Sequence, residues 1–127
     1  MNTSRRADRD RGAVDVSVQM LFGLMAALFA LLLVFEAVTY WHARNVFDDA
    51  AAEGARVAAA FDGTCATGIA AAQQMVQSHA GAWGRDAAVT CSDGPMVVVT
   101  VTGHTPGVLG AAMGFTARVR ESAPKEG

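Results

Sequence analysis

The chain is poor in the groups that carry out covalent chemistry. Its three histidines, His42, His79 and His104, stand far apart, and none belongs to an H-x-x-x-H pair with metal-ligand spacing. Its two cysteines, Cys65 and Cys91, are too distant for a C-x-x-C redox or zinc site. The glycine-flanked "GPMVVVTVTG" has neither the spacing nor the lysine of a phosphate loop. No nucleophile is paired with a base, and Asp48, Asp49 and Glu53 read as a solvated helix face rather than a catalytic carboxylate pair. These absences argue against an enzyme, a metal or cofactor site, and a small-molecule substrate.

Charge is also missing, and where it is missing is informative. From Met20 to Phe35 there is no charged or strongly polar side chain, and the apolar run extends over 16–38. A helix over that run is about 34 Å long at about 1.5 Å per residue, enough to cross a hydrocarbon core of about 30 Å. In lipid every backbone group must be paired within the segment, so a lone span is a helix. Met20, Phe22, Leu28, Leu32 and Phe35 would face lipid. Tyr40 and Trp41 follow as an aromatic anchor at the headgroup level, and Glu36 lies within a turn of that interface.

The flanks set the expected orientation. Arg5, Arg6, Arg9 and Arg11, opposed only by Asp8 and Asp10, precede the run. Arginines there place the N-terminus in the cytoplasm and the remainder outside the cell membrane. Two aspartates interrupt these arginines and no aromatic accompanies them, which argues against nucleic acid as a partner. The run is longer than a secretory signal core, and bulky Tyr40, Trp41 and His42 stand where a small-x-small cleavage site belongs. An uncleaved, single-pass anchor is the expectation.

No proline or glycine–serine linker separates this anchor from "YWHARNVFDDAAAEGARVAAAF". Val46, Phe47, Ala50, Ala51, Gly54, Val57, Ala58 and Phe61 recur at helical spacing and form one apolar stripe. A single helix over 16–61 follows, ended by Asp62-Gly63 with Gly63 as a left-handed cap. Ala50, Gly54 and Ala58 permit close helix packing. A second helix is expected from Thr67 to Trp83, burying Ile69, Ala72, Val76, Ala80 and Trp83, with Gln73, Gln74 and Gln77 facing water.

The rest alternates with period two. Val97, Val99 and Val101 in "MVVVTVT" and Phe115, Ala117 and Val119 in "FTARVRE" form inner rows; Thr116, Arg118 and Arg120 form an outer row. The turn signal Ser92-Asp93-Gly94-Pro95 joins 86–91 and 96–103 as a hairpin, and "HTPGVLGAAMG" reads as a glycine-rich connection. The expected fold class is α+β: a long N-terminal helix, then a second helix on an antiparallel sheet of about three strands. The corresponding domain plan is a basic leader 1–15, a span 16–38, an exported helix 39–63, a small domain 64–121 and a flexible tail 122–127. Both cysteines lie outside the membrane, which suggests a Cys65–Cys91 disulfide closing a loop of about 25 residues; two buried free thiols are the alternative.

This combination resembles the TadE-like proteins of tight-adherence (Flp-type) pilus assembly. The resemblance rests on "DRGAVDVSVQM" at 9–19, the apolar run after it, and "HARNVFDDAAAEGARVAAA" at 42–60. It implies a pilin-like minor structural component active in cell adhesion, whose partners are the membrane, other pilin-like subunits and pilus-assembly proteins. It also implies a possible prepilin-peptidase cut between Gly12 and Ala13. Ser17 stands where the family pattern has a glutamate, with Asp15 two positions earlier. A bitopic membrane protein with an outer ligand- or partner-binding domain unrelated to pili is the alternative reading of the residues.

Overall fold

The computed structural model describes the backbone of residues 2–126, and side chains within 11–109 and 112–126. The chain packs as two units, 1–35 and 36–127. One helix, α1 (Asn2–Ala59), passes through both. Then come α2 (Cys65–Ala80), a 3-10 turn (Gly81–Gly84), strands β1 (Ala88–Ser92) and β2 (Met96–His104), a short α3 (Val108–Met113) and β3 (Thr116–Pro124). The fold is α+β, with the three strands in the order β1-β2-β3, antiparallel throughout.

The first unit is helix alone. Its apolar side chains from Val14 through Phe35 are exposed all round the helix, with Leu32 partly covered. A soluble helix is apolar on one stripe only; one that is apolar all round has its surface covered by lipid or by other helices.

The second unit is built on the part of α1 beyond residue 36. Ala43, Val46, Phe47, Ala50, Ala51, Ala55, Ala58 and Ala59 are buried there. Against them pack Ala72, Val76 and Ala80 of α2, Val97, Val99 and Val101 of β2, and Ala117 and Val119 of β3. Phe47 is the largest fully buried side chain, with Trp83 edge-on at 5.6 Å between ring centroids. Gly103 makes room for it, since a Cβ there would lie 2.7 Å from the Phe47 ring. The helix–helix crossing depends on Gly54 and Gly68. A Cβ on Gly54 would lie 2.9 Å from the Gly68 carbonyl oxygen, and one on Gly68 only 2.6 Å from the Gly54 carbonyl oxygen.

Several expectations need correcting at element ends. α2 begins at Cys65, two residues early, because Thr64 is its N-cap. The Thr64 hydroxyl accepts from the Thr67 amide at 3.2 Å, and the Thr67 hydroxyl accepts from the Thr64 amide at 3.0 Å. It ends at Ala80, and Trp83 belongs to the 3-10 turn, half-buried. Gly63 is not left-handed. It is required instead by space, since a Cβ would fall 2.0 Å from the Val57 carbonyl oxygen. Phe61 lies beyond the helix and is 80% exposed, so it leaves the stripe. Phe115 precedes β3 and is also exposed, leaving Ala117 and Val119 as the buried pair of that row.

The "HTPGVLGAAMG" connection contains α3, a helix that periodicity over so few residues does not reveal. Residues 122–126, expected as a tail, are structured. β3 continues to Pro124, and the Lys125 ammonium donates to the carbonyls of Ala58, Ala60 and Gly63 at 2.7–3.2 Å. The Glu126 amide donates to Ala59 O at 2.8 Å. A cation and an amide thus bond to carbonyls at the C-terminal end of α1 and just beyond it, where helical partners run out.

Candidate functional site

Two features carry functional information: the exposed apolar segment of α1, and the loop that meets α1 just after it. In the segment, Met20, Phe22, Leu28 and Phe35 are exposed, Leu32 is partly covered, and Tyr40 and Trp41 are exposed. The Trp41 indole N–H donates to Asn45 Oδ1 at 3.1 Å. Within the described residues one helix is long and apolar enough to cross a membrane. Gly12 and Ala13 are helical and exposed, and a Cβ on Gly12 would meet nothing within 4 Å. Arg11 is exposed, while the side chains of Arg5, Arg6 and Arg9 lie outside the described residues.

No neighbour in the sequence is an evident partner for Glu36. The structure gives it one 72 and 73 residues away: Glu36 Oε1 accepts from the backbone amides of Val108 and Leu109, at 2.5 and 2.9 Å. The carboxylate therefore caps the first turn of α3, where amides are otherwise unpaired and an anion is favoured. Gly107 makes the approach possible. Its φ is +109°, and a Cβ there would lie 2.5 Å from Glu36 Oε2 and 3.0 Å from Thr39 Oγ1. The loop is closed at its base by buried Thr105, whose amide and hydroxyl both donate to Phe115 O, at 2.9 and 3.2 Å. The signal available in sequence was the Pro106-Gly107 punctuation; the distance to Glu36 hid the contact.

Cys65 and Cys91 form a disulfide with Cα atoms 5.6 Å apart, joining the first residue of α2 to β1. No free cysteine remains among the described residues. Ala50, Gly54 and Ala58 line the buried side of α1 where α2 crosses. The histidines stay apart: His42 and His79 are exposed on helices, and His104 ends β2 rather than lying in a loop. Among the described residues, no group of three His, Cys, Asp or Glu side chains could hold a metal ion.

Charged pairs in the second unit are peripheral. Arg56 grips Glu53 through Nη2 and Nε at 2.7 and 2.9 Å, and this hydrogen bonding holds the Glu53 carboxyl below its usual range. The pair lines an open groove of about 360 Å³ with Val46, Asp49, Ala52, Met75 and His79. Glu121, at the end of the inner row of β3, is pushed up by a hydrogen bond to Asp48 in its protonated form and by the repulsion of that carboxylate. Neither arrangement pairs an acid–base group with a nucleophile. No family model, curated protein or solved structure matches this chain.

Proposed function

We propose that this protein is a minor, TadE-like component of a tight-adherence pilus assembly system, held in the cell membrane with its second unit outside. One observation carries the reading. The exposed apolar helix does not end in a linker but continues as the helix on which α2 and the sheet pack. That is the plan of a pilin-like subunit, whose anchor and spine are one element. The disulfide supports an oxidising, extracytoplasmic setting for the second unit, and the arginines before the apolar run support a cytoplasmic N-terminus. In this role the protein contributes helix surface to neighbouring subunits and performs no catalysis.

Deleting the gene in its own host and counting surface filaments and attached cells tests the role. Loss of both, restored by the intact gene, is expected; undiminished filaments and attachment would sink it. Orientation is checked separately. A cysteine in place of Ser4 should be shielded from an impermeant thiol reagent in intact cells, and one in place of Ser78, which is exposed on α2, should be labelled. N-terminal sequencing separates two fates. A start at Ala13 marks maturation into a filament subunit, and a retained leader marks a membrane-held accessory subunit.

The groove beside Glu53 and Arg56 favours the second reading, a bitopic protein whose outer domain binds a ligand or envelope partner unrelated to pili. Genes for a secretion ATPase and inner-membrane assembly proteins beside this one would favour the first reading, and their absence the second.

A further inference from the structure

We infer that α3 and its flanks form a lipid-docking surface that rests on the outer face of the bilayer; the inference depends on reading residues 16–38 as a membrane span. The hydrogen bonds from Val108 and Leu109 fix the start of α3 to Glu36. Glu36 is the next residue after Phe35 and lies in the last turn of the apolar run. Whatever is fixed to Glu36 therefore sits at the depth where that run leaves the hydrocarbon.

The composition of the loop suits that depth. From Thr105 to Ala117 there is no charged side chain. Val108, Met113 and Phe115 are 59%, 68% and 45% exposed, although a loop facing water gains nothing by presenting them. Tyr40 and Trp41, one turn beyond Glu36, are exposed at a similar level of α1. Aromatic and aliphatic side chains in the headgroup layer bury apolar area without crossing the membrane. The capping contact also solves a problem for Glu36. A carboxylate in the last turn of a span is costly without partners, and two backbone amides supply them. The carboxylate near the lipid is thus hydrogen-bonded by the same contact that brings the apolar loop to the surface.

The test uses the full, disulfide-intact chain alone in phospholipid nanodiscs, with an environment-sensitive fluorophore on single added cysteines. Lipids carry a quencher either high or deep in the acyl chains. The probe at Met113→Cys is expected to be quenched by the shallow lipid at least about twofold more strongly than by the deep one, as for an interfacial segment. A probe at Phe29→Cys should show the opposite preference, and one at Ser78→Cys neither. Quenching at residue 113 no greater than at residue 78, with residue 29 responding normally, overturns the docking surface while leaving the span intact; it would direct attention to a protein partner for the loop. Absence of deep quenching at residue 29 would overturn the span and the docking surface together. Glu36→Ala removes the acceptor and should roughly halve shallow quenching at residue 113 without changing residue 29, as expected when an interfacial segment is no longer held in place. Unchanged quenching would refute the pinning role of Glu36.

Discussion

Glu121 and Lys125 show how single side chains on the last strand act on the long helix. Glu121 faces Asp48 of α1, and the hydrogen bond to Asp48 favours its protonated form in the folded chain. A folded pKa above the unfolded one means that this contribution is present below the ordinary carboxylate range and is lost as pH rises through the raised value. Glu121→Gln keeps a donor and removes the repulsion. The variant should therefore denature at higher urea than the parent near about pH 7, and the gap should close near about pH 3.5. A gap that widens in acid would contradict the pairing. Glu53 has the opposite sign: its lowered pKa contributes stability above the ordinary range, lost as pH falls. Lys125 donates to three carbonyls at the end of α1. Lys125→Met keeps most of the stem and loses the donors. About 1–2 kcal/mol of the second unit's stability should go with them, read as a lower urea midpoint at unchanged slope. Neither contact was legible in the sequence, because Asp48–Glu121 and Lys125–Ala58 join opposite ends of the unit.

At the scale of elements, the α1–α2 crossing puts two opposing effects against each other. Replacing a mid-helix glycine by alanine normally gains up to about 1 kcal/mol of helix propensity. At Gly68 the new methyl would lie 2.6 Å from the Gly54 carbonyl oxygen and 2.6 Å from the Ala58 Cβ, neither of which can swing aside. Overpacking of this kind costs about 1–3 kcal/mol, so sterics should win and Gly68→Ala should destabilise the second unit in a thermal or urea melt. Gly12→Ala, with nothing within 4 Å of the added methyl, should leave the melt unchanged. Equal effects from the two variants would mean that the helices do not cross as described. The hairpin of β1 and β2 was readable from alternation and the Asp93-Gly94-Pro95 turn, since both are local properties. α3 was not, because six residues span too few turns to set up a period.

Across the whole molecule, a long apolar helical segment is followed by a small unit that folds around one core. The Cys65–Cys91 bond spans 26 residues and ties α2 to the sheet, which in the chain-entropy model contributes about 3–4 kcal/mol. For a unit this small that is a large share of net stability. Reduction, or Cys65→Ser with Cys91→Ser, should lower its melting transition by well over 5 °C, since about 1 kcal/mol shifts a domain of this size by about 4–8 °C. The apolar helix should remain helical in lipid, because its hydrogen bonds are internal. A melt insensitive to reductant would refute the stabilising role of the bond.

What the sequence determined by itself is what repeats along the chain. The apolar run, the helical stripe through Phe47, Ala50, Gly54 and Ala58, and the alternation of Val97, Val99 and Val101 follow from geometric periods, and they yielded the α+β plan and its core. Only the tertiary structure decided the contacts between distant and individually unremarkable residues. Gly63 is required by a neighbouring carbonyl rather than by its own φ, Lys125 caps a helix that ended long before it, and Glu36 holds the start of α3. Such contacts leave no period, since one hydrogen bond or one close approach depends on how the chain returns to itself, which is set by the packing of the whole core rather than by any local run of residues.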